Sequence, residues 1–466
     1  MTRPLILHPD RLLPADPATR GIARALYDQV AHLPIISPHG HTDPAWFATD
    51  AAFENATELL LKPDHYVFRM LYSQGVALES LGIGGGSVDP CAAWAIFAAN
   101  YHLFRGTPTR LWLDWVFAEA FGLDVQFEAA TADHYYDTIG AALATPAFRP
   151  RALFDRFGIE VIATTESPLD SLDHHRAIQE SGWSGRVVTA YRPDAVVDPE
   201  FEGFRANLAR LSDLTREDAF GYDGYLAAHR QRRAFFASMG ATSTDHGHPT
   251  AATADLSPAD AAALFARVTA DTVSRADAEL FRAHMLTVMA GMSVDDGLVM
   301  QLHPGSFRNH NPSLFARFGR DKGADIPMAT DYVHGLRPLL ARYGNDPRLT
   351  LILFTLDETS YSRELAPLAG HYPALRLGPA WWFHDSPEGM RRFRQQVTET
   401  AGFYNTVGFN DDTRAFMSIP ARHDVARRID CGFLAGLVAE HRLEDWEAAE
   451  LAVDLSYTLA KRAYKL

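Results

Sequence analysis

The stretch IISPHGHTDP, residues 35–44, carries His39 and His41 one residue apart at the end of a short apolar run. In an extended chain, residues i and i+2 project to the same side. Both imidazoles could therefore meet one metal ion at roughly 2.0–2.1 Å. The ordinary reading of a bare His-x-His is two polar residues in a Pro- and Gly-containing turn. A strand-end location and a carboxylate available on another strand shift that reading toward a metal. A second His-x-His, His246 and His248 in DHGH, follows a weaker run. Its glycine and following proline predict a turn that leaves the site, with His248 outside it.

Other chemistry-bearing residues recur at comparable places. Glu166, Arg192, Asp245, His246, His303, Asp357, Glu358, Trp381, Trp382, Asp412 and Arg414 all follow short β-rich runs. Acids, bases and aromatics at strand ends suit a small polar substrate held in a pocket. Arg192 and Arg414 offer planar forks that match a carboxylate. Each could equally pair with a neighbouring acid, Asp194 or Asp412. Two such arginines together favour an anionic substrate.

The elements that must position these groups are eight runs, at 33–38, 159–165, 186–191, 240–244, 297–302, 350–355, 375–380 and 404–409. They are continuously apolar rather than alternating, as expected of strands buried on both faces of a parallel sheet. Helical segments separate them. Ser257-Pro258 and Ser386-Pro387 give N-caps with proline in the first turn. The alternation predicts an α/β fold, and eight strands predict a closed (β/α)8 barrel, a TIM barrel, forming a single domain over 1–466. Residues 45–155 read as a helical insertion after the first strand, and the last 23 residues as a helix packed on the outside.

Composition narrows the function. The net charge of −15 and the lack of a Lys/Arg cluster argue against nucleic acid. RQRRAFF, residues 230–236, reads as one solvated helix face, and HH at 174–175 as surface. The two cysteines, Cys91 and Cys431, suit a reducing cytoplasm, and neither a signal peptide nor a membrane span is apparent. GIGGGS, residues 82–87, lacks the preceding strand that a dinucleotide loop needs. A cytoplasmic protein with a small-molecule substrate is expected. Oligomeric state is not written in any motif; a homo-oligomer is the general prior.

Taken in order, SPHGHTDP, KPDHYVFRML, TTESPLDSLDHH, TAYRPD, TSTDHG, MQLHPGSFRNHN, WWFHDSPEGM and NDDTRAF resemble the uronate (glucuronate) isomerases. That family lies within the amidohydrolase superfamily of metal-binding (β/α)8 barrels. The resemblance implies interconversion of D-glucuronate with D-fructuronate and of D-galacturonate with D-tagaturonate. It implies that His39, His41 and Asp412 hold a divalent metal, with Zn²⁺ the expected ion. It also implies that Tyr66 reaches the site from the insertion, which covers the barrel mouth. Asp412, Tyr66, His303 and Asp245 are then catalytic, and Arg192, Arg414 and Trp381 bind substrate. Glu166 and His384 depart from the residues expected of the family and are left out of the site.

The chemistry so implied is an aldose–ketose isomerisation by proton transfer from C2 to C1 through an enediol. Asp412 is the candidate base, with Tyr66 or His303 as relay. The rival is a hydrolase of the same superfamily that uses metal-activated water. A sugar-acid-binding protein without activity is a third possibility.

Overall fold

The structure is a computed structural model that describes residues 3–270 and 273–466. Seven parallel strands form one curled sheet. They are β1 (Ile35–Ser37), β2 (Ile159–Glu166), β3 (Arg186–Tyr191), β4 (Ser243–His246), β5 (Val299–Leu302), β6 (Leu351–Leu353) and β7 (Leu375–Leu377), adjacent in that order. The eighth run adds only a parallel bridge, Leu377 to Thr406, with Leu377 N–H donating to Asn405 O at 2.8 Å. Its far end meets the first strand through His41 N–H and Thr413 O at 3.1 Å. The weak fourth run forms its strand three residues later than read, so Asp245 and His246 lie within β4 rather than after it.

Alternation divides the strand residues between two faces. On the outer face, Met300, Leu302, Leu351, Leu353, Leu375 and Leu377 join the largest core cluster beneath the helices. On the inner face, Ile36, Val161, Ala163 and Val188 pack against Ala460. Val299, Ile352, Phe354 and Val407 pack with Tyr464, whose hydroxyl donates to Gln301 Oε1 at 3.1 Å. The C-terminal segment was expected on the outside, and its first part does pack there, Ala448, Leu451, Leu455 and Leu459 against the helices Pro17–Val30 and Ile419–Ala439. Small inner residues such as Ala163 leave room, and the last helical turns enter that face.

Residues between β1 and β2 are helical, as read, and contain the helices His65–Ser73, Pro90–Asn100, Pro108–Trp115 and Ala132–Leu143. They bring their own aromatic core, with Phe97, Phe104, Phe117 and Tyr135 all fully buried. Each such phenylalanine stabilises by roughly 1.5–3 kcal/mol. The helix starts at Ser257 and Ser386 are also as read, the hydroxyls accepting from Asp260 N at 3.2 Å and Gly389 N at 3.0 Å.

Two surface expectations are corrected. Arg232 and Arg233 are buried: Arg233 Nε meets Asp296 at 2.6 Å, and Arg232 Nε donates to Pro168 O at 2.7 Å. These partners on distant segments offset the desolvation that a run of arginines would otherwise suffer. His175 is buried too, 2.9 Å from Thr164 Oγ1 behind β2. No helix among the described residues is long and apolar enough to cross a membrane.

Candidate functional site

His39 and His41 follow β1 and do converge. Their Nε2 atoms lie 3.4 and 3.2 Å from Asp412 Oδ1. One ligand atom from each of the three residues falls within 4.8 Å of the other two. Gly40, between the histidines, is held close: a Cβ there would sit 3.4 Å from Ala163 O and 3.5 Å from Thr413 O. The two aspartates of NDDTRAF separate sharply. Asp411 turns back to His423 Nε2 at 3.1 Å, whereas Asp412, at φ 35°, enters the site.

Burial alone would raise the Asp412 pKa, but His39 and His41 outweigh it and hold the carboxyl well below its usual range. Asp412 Oδ1, the oxygen that faces both Nε2 atoms, has no aligned hydrogen-bond donor. Native interiors leave few such atoms unpaired. Two imidazoles and a carboxylate also form a known donor set for divalent transition metals. The residues therefore fit a divalent ion.

Beside this group lies a second cluster. Asp245, fully buried, faces His303 Nε2 at 2.8 Å and Arg192 Nη1 at 3.3 Å. Burial opposes its ionisation, but His303, Arg192 and His39 overcome it and hold the carboxyl well below the usual range. Neither Asp245 oxygen nor either His303 ring nitrogen makes an aligned hydrogen bond. The His39 and His303 rings are 6.3 Å apart, so the two clusters adjoin. Arg192 also donates from Nε to Asp194 Oδ2 at 2.9 Å, which is the intramolecular salt bridge considered from sequence.

Trp381, read as a substrate-binding residue, has a specific protein partner. Its indole N–H donates to Asp412 Oδ2, and its ring lies 5.2 Å from that of His303. Tyr66 sits at the start of helix His65–Ser73, whose N-cap, Asp64, accepts from Tyr66 N at 2.8 Å. Burial drives the Tyr66 pKa well above its ordinary value, so the phenol stays protonated. Arg414 is half-exposed and pairs with Asp321 at 3.2 Å, not with Asp412.

Other strand-end residues point elsewhere. Glu166 accepts from Thr164 at 2.8 Å and from Thr189, behind the sheet. Glu358 pairs with Arg392 at 3.0 Å, and His384 Nε2 lies 3.0 Å from Leu356 O. His246 turns to Thr244 at 3.0 Å on the face opposite Asp245.

Two contributors escaped the sequence reading. His65 stacks on Tyr66 with centroids 4.5 Å apart, and its buried Nε2 has no partner. Burial, aided by Arg414 and Arg69, pushes its pKa down to about 3, so it is neutral. Its position immediately before Tyr66 in DHY was the available signal. Gly247 is the second: a Cβ there would lie 2.6 Å from Arg192 and 2.8 Å from His303. Asp194, weighed from sequence as the partner of Arg192, also accepts from Gly247 N–H through its Oδ1 at 3.1 Å.

A parallel α/β sheet with a His-His-carboxylate group and buried charges at the C-terminal ends of its strands is the arrangement of an α/β enzyme with a candidate divalent-metal site. The glucuronate isomerase family model matches residues 17–464, and the chain belongs to that family. The uronate isomerase of Sphingopyxis alaskensis is 79% identical over 470 residues, covering 100% of both chains. The crystal structure of glucuronate isomerase from Caulobacter crescentus superimposes with a TM-score of 0.98 at 65% identity, covering 99% of this chain and 98% of that one. The uronate isomerase structure from Thermotoga maritima gives 0.93 at 26% identity, with 98% and 99% covered. The chain is thus an isomerase, as its ordered motifs implied.

Proposed function

We propose that the enzyme interconverts D-glucuronate with D-fructuronate and D-galacturonate with D-tagaturonate, using a Zn²⁺ ion held by His39, His41 and Asp412. The observation that carries this reading is the adjacency of the His-His-Asp group to the Asp245–Arg192–His303 cluster. When bound, the ion would supply positive charge at the carbonyl end of the sugar. The eight runs would close as a (β/α)8 barrel, with residues 45–155 as a cap that brings Tyr66 over the mouth. A cytoplasmic homo-oligomer completes the reading.

In the isomerisation, the C2 proton leaves as C1 gains one, and the O2 hydroxyl proton passes to O1. Composition is unchanged, so no redox partner is consumed. Asp412 is ionised and takes the C2 proton in this proposal. Its Oδ2 is fixed by the Trp381 indole, which aims the carboxylate. Tyr66, kept protonated by burial, is suited to donate at a sugar oxygen. His303 serves as the alternative relay, with the Asp245 carboxylate 2.8 Å from its Nε2. Arg192 and Arg414 are the candidates for the sugar-acid carboxylate.

The test is isomerisation of both uronates by metal-free and Zn²⁺-restored protein, followed by NMR and mass spectrometry. Metal-dependent turnover with unchanged product mass is expected. Turnover that ignores the metal would remove His39 and His41 from the chemistry. A product heavier by one water, with uronates inert, would favour the hydrolase instead.

A further inference from the structure

Arg192 and Arg414 differ in how firmly their charges are already taken. Arg192 is held by two carboxylates, Asp194 and Asp245, whose side chains are only 14% and 0% exposed. Arg414 has Asp321 as its one ion-pair partner among the described residues, at 3.2 Å, and the two side chains are 44% and 50% exposed. Water can reach that pair, so another anion could displace it.

Asp321 does not belong to the sheet. It sits on the excursion between β5 and β6, just after the helix Pro312–Phe318. It adopts φ 60° between Gly319 and Gly323, both also at positive φ. A two-residue antiparallel ribbon, Ser306–Phe307 with Ile326–Pro327, forms the base of the excursion. Its tip is wedged between the insertion and the barrel. A Cβ on Gly323 would lie 2.7 Å from Arg69, and the Arg308 guanidinium lies 4.8 Å from the Trp382 ring. Burial opposes the ionisation of Asp321, but nearby arginines, Arg414 first and then Arg308, outweigh it and lower its pKa. The carboxylate therefore lies in the positive field that an anionic sugar must enter.

We propose that Asp321 is an internal stand-in for the substrate carboxylate: it occupies Arg414 until a uronate displaces it, which makes the 306–327 excursion an anion-responsive gate. The proposal rests on the reading that Arg414 receives the sugar-acid carboxylate, and it selects Arg414 over Arg192 for that role. Substrate affinity is then set partly by competition with Asp321. A neutral sugar gains nothing by displacing it and is disfavoured.

The experiment uses the full-length, metal-loaded enzyme with D-glucuronate and measures KM and kcat for D321N, R414M and the double variant. Asparagine tolerates the left-handed backbone of Asp321, so D321N keeps the turn. A half-exposed ion pair is weak, so KM should fall by about two- to fivefold in D321N. R414M should raise KM at least about tenfold, as expected when a charged partner is removed. In the R414M background, D321N should no longer lower KM, because the two changes act on one contact. If R414M raises KM while D321N leaves it unchanged or raises it, Asp321 orients Arg414 rather than competing for it, and the gate is overturned. If R414M itself leaves KM unchanged, the carboxylate reading fails and the gate falls with it.

Discussion

Replacing Trp381 with phenylalanine separates two roles that the indole could have. The side chain is 4% exposed and packs on His303 and Phe354 with centroids 5.2 and 5.6 Å away. A phenyl ring keeps most of that packing and removes only the N–H that donates to Asp412 Oδ2. Hydrogen bonds to charged groups contribute about 1.5–3 kcal/mol, or roughly ten- to 150-fold in an equilibrium constant. Partners that orient a metal-binding carboxylate affect metal affinity by about ten- to 100-fold. W381F should therefore bind Zn²⁺ about ten- to 100-fold more weakly, read by competition against a chromophoric chelator. At saturating Zn²⁺ its KM for D-glucuronate should change less than about twofold, since the indole N–H is already committed to a protein group, Asp412 Oδ2. Unchanged metal affinity with a raised KM would refute this and return Trp381 to the substrate-binding role its place in the sequence suggested.

Two further substitutions test the charges around the sheet. Burial, partly opposed by Thr189 and Thr164, raises the Glu166 pKa from 4.5 to about 7. With the folded value above the unfolded one, its contribution is fully present below pH 4.5 and is lost as pH rises through 7. The loss is about 3 kcal/mol at 1.36 kcal/mol per pKa unit. E166Q should remove that component from the pH dependence of the urea midpoint; a slope equal to that of the parent protein would contradict the assignment. Asp245→Asn withdraws one of the two buried partners of Arg192, for which about 3–5 kcal/mol of destabilisation is the upper range. Calorimetry should show a lowered Tm, and kcat/KM should fall by about 100-fold or more. An unchanged kcat/KM in the folded variant would exclude Asp245 from the chemistry.

The sheet was readable because parallel strands buried on both faces leave continuous apolar runs, and TLILFT or RVVTAY admits little else. The runs were less informative about strand ends. GATST carries few large apolar side chains, and its strand extends instead through Asp245 and His246, whose polarity hid it. Buried charges were misread for a related reason. Arg232, Arg233 and His175 look solvated locally, because the groups that offset their desolvation come from residues 168, 296 and 164. Local pattern reports a side chain's polarity but not its distant partner.

The same distinction explains what could be known of the site. His39 and His41 were legible because residues i and i+2 of an extended strand end project to one side, and Asp412 because NDDTRAF, taken with the other ordered motifs, resembles those of the uronate isomerases. What fixes each of them is not local. Asp412 is aimed by an indole 31 residues away, and Arg414 is occupied by an aspartate 93 residues away. In DHGH, the glycine that reads as a turn is required by contact: any side chain there would strike Arg192 and His303. Its histidines are the misleading part of the motif, since the adjoining Asp245 is the member that faces the site. Residue types thus announced the chemistry on offer, while the loops between strands decided which charge was already paired. That pairing is why Arg192 is built into the wall and Arg414, whose partner is half-exposed, is the cation left to exchange.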